Sequence, residues 1–275
     1  MNEQNFDYLK NQLKYTGFGE ELQPDLREKI LTGQPHFILI HRAVIGKDRT
    51  ESVLHFNKSE HNEMYFFNRY FLSLINDQNE SSFTQSFYPG QNNITLKEAY
   101  NLMNGRAVHK EITSKEGKNY RAWLQLNFNE TTESGEFKMK QFHQNYGYGL
   151  RQALVKYPIK ELEHVESSQS LIRSLEKGNR QSVTFIIEGQ EQKMFIEANP
   201  QFKSLNIYTS DLLRVNRQLQ IQPEKKDPGE KLSQGLDGQG KDSGLSEVEE
   251  GNMEKPAQKQ SRESRQSKRQ SGLLS

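Results

Sequence analysis

The side chains of this 275-residue chain that could do chemistry are seven histidines, dispersed carboxylates and hydroxyls, and there is no cysteine. Without cysteine the chain has no disulfides, no thiol nucleophile and no thiolate-ligated zinc. His36, His41, His55 and His61 fall in one stretch, yet no pair has the H-x-x-x-H spacing that puts two imidazoles on one helical face. They read as structural or surface histidines. Acid–base chemistry needs converging carboxylates, or a histidine beside a nucleophile. Glu98, Glu111 and Glu197 lie in separate parts of the chain, and no Gly-x-Ser-x-Gly elbow occurs. Gly17-Phe18-Gly19 and Gly147-Tyr148-Gly149 lack the strand-then-helix setting of a phosphate-binding loop and read as turns. The expectation is a protein that is not an enzyme and carries no metal or cofactor.

Binding chemistry is more visible. Along residues 120–128 the even positions, Tyr120, Ala122, Leu124, Leu126 and Phe128, read as core. Strand alternation then turns Arg121, Trp123, Gln125 and Asn127 the other way. In the next segment Phe137 and Met139 alternate with Lys138, Lys140 and Phe142. If these strands pair as hairpin neighbours, one face displays Arg121, Trp123, Lys138, Lys140 and Phe142. Aromatic rings among cations are what single-stranded nucleic-acid platforms use, the rings stacking bases and the cations neutralising phosphates. The competing reading packs Trp123 against an adjacent unit, with the lysines rimming it.

Those segments need elements to position them, and the elements recur. Residues 3–15 read as an amphipathic helix with Phe6, Leu9 and Leu13 on one stripe and Gly17 beyond its end. Three further helical patterns stop at Ile30-x-x-Gly33, Leu102-x-x-Gly105 and Leu175-x-x-Gly178. Glycine suits the position after a helix because a left-handed backbone costs it little. Thr95-x-x-Glu98 is a capping box, and Ser167 or Ser168 can cap the third helix. After each glycine the period becomes that of a strand. First strands are expected near 37–41, 107–112 and 183–187, second strands near 52–56, 120–128 and 193–198, and third strands near 65–74, 137–143 and 204–208. A helix over a three-stranded sheet is a minimal two-layer unit, so the fold class is α+β with three repeated helix–glycine–hairpin–strand units.

These units divide the chain into domains: 1–78, an N-terminal helix with the first unit; 79–93, a polar linker; 94–158, the second unit, closing on a short helix over 150–157 stopped by Pro158; 159–215, the third unit. Residues 216–275 form a charged tail expected to be disordered, since no aromatic comes after Tyr208 and the 15 Phe and 11 Tyr all lie within the first 208 residues. Five acids fall within 242–254, succeeded by a basic end in which Lys268 and Arg269 could grip an acidic polymer. Net charge is only +1, so no overall field draws the chain to nucleic acid or membrane. No apolar stretch nears the length of a membrane span, and the first residues lack a secretory pattern, so a cytoplasmic location is expected. Four Asn-x-Ser/Thr sequons, at Asn57, Asn79, Asn93 and Asn129, read as chance there.

Residues 95–108, Thr-Leu-Lys-Glu-Ala-Tyr-Asn-Leu-Met-Asn-Gly-Arg-Ala-Val, with Tyr120-Arg121-Ala122-Trp123 after them, carry a resemblance. So do the segments 142–148, 177–181 and 197–203, and Tyr15-Thr16-Gly17-Phe18-Gly19. Over roughly residues 1–215 the chain resembles domain-of-unknown-function family 3945, proteins of conjugative transposons of gut Bacteroidetes. The resemblance implies a bacterial, mobile-element-encoded cytosolic protein and carries no catalytic residues. The expected function is a non-enzymatic accessory protein of such an element, binding nucleic acid through the second unit and the basic tail. The alternative is a protein-interaction scaffold for an element-encoded or host enzyme. No small-molecule substrate is evident.

Overall fold

A computed structural model describes residues 2–75, 81–90, 93–114 and 116–215. Lys268, Arg269 and the rest of the charged tail lie outside the described residues. The chain begins with α1 (Glu3–Thr16) and α2 (Gln23–Leu31). Asn2 caps α1, its side chain accepting from Asn5 N–H, and Gly17 ends it at φ 99°. Phe6, Leu9 and Leu13 are buried, as their helical spacing requires.

Four strands come next as an antiparallel meander: β1 (His36–Ile45), β2 (Asp48–Lys58), β3 (Tyr65–Ile75) and β4 (Ser81–Phe87). The fourth corrects the sequence reading, which put this stretch in a polar linker over 79–93. Ser, Thr and Gln disguise it. Its Gln85 and Phe87 stand opposite Leu72 and Tyr70 on the inner face, so the strand is held by pairing with β3 rather than by its own composition. A bulge interrupts the β2–β3 register at His55/Phe56.

Then comes α3 (Leu96–Met103), with the capping box in place: Glu98 N–H donates to Thr95 Oγ1, and Thr95 N–H donates to the Glu98 carboxylate at 2.9 Å. β5 (Val108–Thr113), β6 (Asn119–Thr131) and β7 (Phe137–His143) form a second meander. A short α4 (Leu150–Leu154) and α5 (Val165–Glu176) lead into a third, of β8 (Gln181–Ile187), β9 (Gln190–Asn199) and β10 (Ser204–Tyr208). α5 starts earlier than the serines suggested. His164 holds the cap position without a side-chain bond, and Ser167, inside the first turn, donates back to Glu161 O and His164 O.

One bond closes α2, α3 and α5 alike. Gly33, Gly105 and Gly178 have φ of 69°, 76° and 76°, and their N–H groups donate to the carbonyls of Ile30, Leu102 and Leu175 at 3.2, 2.9 and 2.9 Å. The architecture is α+β, antiparallel throughout.

Two cores hold these elements. The first joins α1, α2, the inner face of the first sheet, α3 and the Ala122/Leu124/Leu126 face of β6. The second joins the opposite face of the second sheet, through Ala107 and Trp123, to α4, α5 and the third sheet. The middle sheet is therefore covered on both sides. α3 sits at the meeting point and is buried at seven positions, Leu96 and Glu98–Met103.

Two side-chain amides act as spare peptide groups. Asn5, 2% exposed, accepts from Tyr65 N–H at 2.8 Å and donates to Tyr65 O at 2.9 Å, tying α1 to β3. Gln85 does the same for Phe137 at 3.0 and 3.3 Å, tying the first sheet to the second. Each satisfies a strand-end N–H and C=O that would otherwise lose their water on burial. No helix among the described residues is long and apolar enough to cross a membrane.

Candidate nucleic-acid interface

The second sheet assembles the expected face. Phe142 stands opposite Trp123, Lys140 opposite Gln125 and Lys138 opposite Asn127. Pairing with β5 adds His109 beside Trp123 and Glu111 beside Arg121. The aromatic centre of this face is not available. Trp123 is 5% exposed, with the His109 ring stacked on it at 4.9 Å and Tyr148 edge-on at 5.4 Å. Phe142 packs against the same core. This corrects the expectation of an exposed Trp123 among cations and bears out the competing reading, in which Trp123 packs against an adjacent unit. Alternation says which face a side chain takes, and here α4, α5 and the third sheet lie over that face.

Two of the cations at its margin are ion-paired. Arg121 lies 3.9 Å from Glu111, and Lys138 lies 3.5 Å from Glu130, all four side chains more than half exposed. Lys140 is half-buried. Tyr120 and Arg121, with His143 and Asn145, line an open depression of about 610 Å3. The core parity holds for Ala122, Leu124 and Leu126. It lapses at Phe128, 44% exposed, where the β6–β7 register shifts between Asn127 and Thr131.

Residues 101–108, 177–181 and 197–203 meet at the seam between α3 and the third sheet. Asn101 Nδ2 donates to Lys177 O at 2.7 Å and to Asn179 Oδ1 at 2.9 Å, while its Oδ1 accepts from Arg106 at 2.7 Å. Glu197, 4% exposed, accepts from Arg180 Nε at 2.6 Å and from Tyr208 OH at 2.9 Å. Burial pulls the Arg106 guanidinium below its ordinary range and pushes the Tyr208 phenol up. Arginine, glutamate and tyrosine together are chemistry-bearing types. Here both carboxylate oxygens of Glu197 are engaged by Arg180 and Tyr208 of the same unit, an arrangement that ties β9 to its neighbours. Among the described residues no three His, Asp or Glu side chains converge as a metal-holding group.

A second aromatic and cationic face lies on the first sheet. Its inner face is filled by Phe37, Leu39, Leu54, Phe56, Phe67, Tyr70 and Leu72. Register sets the outer face: Ile38, His55 and Arg69 form one row, Ile40, Val53 and Phe71 the next, then Arg42, Glu51 and Ser73, then Val44, Arg49 and Ile75. Among the described residues no element covers it. Phe66 and Ile38 are 44% exposed, Ile40 45% and Val44 70%. The Arg69 guanidinium lies over the Phe71 ring at 4.9 Å, with the His55 ring edge-on at 5.3 Å. Burial, then the nearby Arg69 charge, holds the His55 imidazole below its ordinary value, so it is neutral near pH 7. These strands carry three arginines on this face, Arg42, Arg49 and Arg69, against one carboxylate, Glu51, which Arg42 reaches at 2.7 Å.

Sequence reasoning passed over this face for a physical reason. In 37–41 both parities are apolar, which reads as a strand buried on both sides. The available signal was Arg69 two residues before Phe71, on a strand whose neighbours also place arginine on the outward parity. The chain matches no protein-family model, no curated protein and no solved structure.

Proposed function

We propose that this is a non-enzymatic binding protein that holds single-stranded nucleic acid on the open face of its first sheet. The observation that carries the reading is the Arg69 guanidinium over the Phe71 ring on the outer face of a four-stranded sheet, a face that no described element covers and on which, among the described residues, arginines outnumber carboxylates. A flat face with exposed rings suits bases, each of which has a π-face, and arginine serves both phosphate and ring. The binding role is the one expected from sequence, moved from the second unit to the first. The basic end of the tail, with Lys268 and Arg269, adds sequence-independent affinity in this reading. An accessory role on a mobile element, in the cytoplasm, fits the resemblance to family 3945. The shared glycine closure of α2, α3 and α5 supports reading the three helix-and-meander units as repeats of one unit, in which the first sheet keeps an exposed face and the second has its Trp123 face covered.

The test is fluorescence anisotropy of the full chain with labelled mixed-sequence single-stranded DNA and RNA across a salt series. Binding should weaken with salt, the log–log slope being about −2 if three phosphates are neutralised. Arg69→Ala/Phe71→Ala should weaken it at least tenfold, a stacked base contributing roughly 1–3 kcal/mol. Absence of binding at low salt, or binding indifferent to that double variant, overturns the reading.

One observation favours a protein partner instead. β1 is an edge strand ten residues long with Ile38, Ile40 and Val44 exposed. An apolar, unpaired edge accepts an added strand. Nuclease-resistant association lost in Ile40→Asp would support that reading.

A further inference from the structure

The open face of the first sheet carries a titratable side chain at its aromatic and cationic centre. His55 stands between Ile38 of β1 and Arg69 of β3, and its ring meets Phe71 edge-on at 5.3 Å. It is half-buried rather than enclosed, and Ile38 and Arg69 on either side of it are exposed. The β2–β3 bulge falls here. Asn68 is its extra residue, and the skipped register leaves Arg69 directly opposite His55. The Asn68 side chain accepts from Asn57 N–H at 3.1 Å, which ties the bulge in place.

The charges nearest this imidazole are of one sign. On β3 the neighbour is Arg69, its guanidinium over the Phe71 ring. On β1 it is the exposed His36, in the adjoining row opposite Asn57. On β2 itself the nearest carboxylate is Glu51, two rows away and engaged by Arg42 at 2.7 Å. On the β4 side Ser86, opposite Phe71, donates to Glu136 at 2.8 Å, so that carboxylate lies beyond β3 from His55. Among the described residues none of the carboxylates shares a row with His55. Burial first, then Arg69 and His36, favour its neutral form in the free protein. A phosphate resting on Arg69 would bring the counter-charge that the row lacks.

Resting on the nucleic-acid reading above, we infer that His55 is a conditional phosphate ligand: the bound strand sets a phosphate between Arg69 and His55, and the imidazole takes up a proton from solvent as it binds. Binding and protonation are then linked, each strengthening the other by the same factor. The face holds the strand with its arginines in mild alkali and gains a further cation on acidification.

The test is anisotropy of the full chain with an oligothymidylate of about 12 nucleotides, from about pH 8 to about pH 5.5. Thymine gains no proton in that range, so the response belongs to the protein. Wild type should tighten about fivefold on acidification. Its log–log salt slope should steepen by about 0.7, the share of one further phosphate on a single strand. His55→Gln should hold affinity and slope constant across the range, and His55→Lys should bind throughout as acidified wild type does. Circular dichroism at each pH restricts the comparison to folded protein. Calorimetry at about pH 6.5 in buffers of different ionisation enthalpy should record proton uptake on binding by wild type and none by His55→Gln. If wild type binds with a salt slope but neither affinity nor slope responds to pH, His55 stays neutral in the complex; the inference falls and the sheet reading stands. If His36→Gln removes the response and His55→Gln does not, the assignment to His55 is overturned. If wild type binds at neither pH, both fall.

Discussion

On the outer face of β1–β4, Phe66 and Ile38 keep 44% of their surface in solvent, whereas on the second sheet Trp123 keeps 5%. The two faces are built from the same kinds of residue, an aromatic ring flanked by arginine or lysine on outward strand positions. They differ in the elements that come after them in the chain. The second sheet is succeeded by α4, α5 and a third meander that close over it, and its outward tryptophan becomes part of a core. The first sheet is succeeded by α3, which packs on its inner side. A pattern of rings and cations therefore marks a surface only when nothing later in the chain covers it. The same alternation that leaves an open face in one place makes a packing face in another.

That contrast breaks most sharply at Trp123. Trp123→Ala should cost about 3–5 kcal/mol in urea unfolding, the range for emptying a large aromatic site, and leave oligonucleotide affinity of the folded fraction unchanged. A loss of affinity without a loss of stability would reverse the assignment of the two faces. Next in size is a pair of glycines with the same backbone and different surroundings. A Cβ at Gly178 would meet Ala107 O and Val108 Cγ2 at 2.9 Å, whereas nothing lies within 4 Å of one at Gly33. Gly178→Ala should cost about 2–5 kcal/mol, combining left-handed strain with overpacking at the covered face, and Gly33→Ala only about 1 kcal/mol. Equal costs would mean that the third unit does not press on the second sheet in solution.

On the open face the balance inverts. Arg69→Ala should move stability by about 0.5 kcal/mol or less and affinity by about tenfold. The smallest effect is a pH dependence. Burial lowers the His41 and His55 imidazoles in the folded chain, so the unfolded chain takes up these protons more readily. Their contribution to stability is complete above the unfolded value of about 6.5 and is lost as pH falls through the lower folded values. Melting temperature should therefore decline on acidification through that window, and His41→Gln should flatten the decline. An unaltered pH profile in that variant would remove His41 as a source of the decline.

Much of the fold was legible because local rules decided it. The third strands at 137–143 and 204–208 coincide with β7 and β10, and the Thr95–Glu98 box starts α3 where a reciprocal cap must. The glycine stops were legible for the same reason: only a residue without Cβ takes that φ cheaply. β4 was missed because Phe83, Gln85 and Phe87 share a parity that serine and threonine obscure, and because the inward Gln85 is held by clasping Phe137 across 52 residues. The candidate surface was misplaced because burial of Trp123 depends on elements far along the chain, which no window around residue 123 contains. The burial of Trp123 is a contact between units, whereas β4 is a strand missed within the first, where β1 (His36–Ile45) and β2 (Asp48–Lys58) also run about twice the spans expected, 37–41 and 52–56.

The position of α3 also sets an order of events during synthesis. The first sheet leaves the ribosome with α1 and α2 to cover part of its inner face, but the rest of that cover, α3 and the β6 side chains through Leu126, comes later. At roughly 5–20 residues per second the delay from Phe87 to Leu126 is about 2–8 s. Through that interval the nascent sheet is bare of α3 on one side and shows Ile38, Ile40 and Phe66 on the other. Until those later elements arrive, the sheet thus offers two apolar surfaces and an unpaired edge, the features that expose a partly synthesised chain to aggregation.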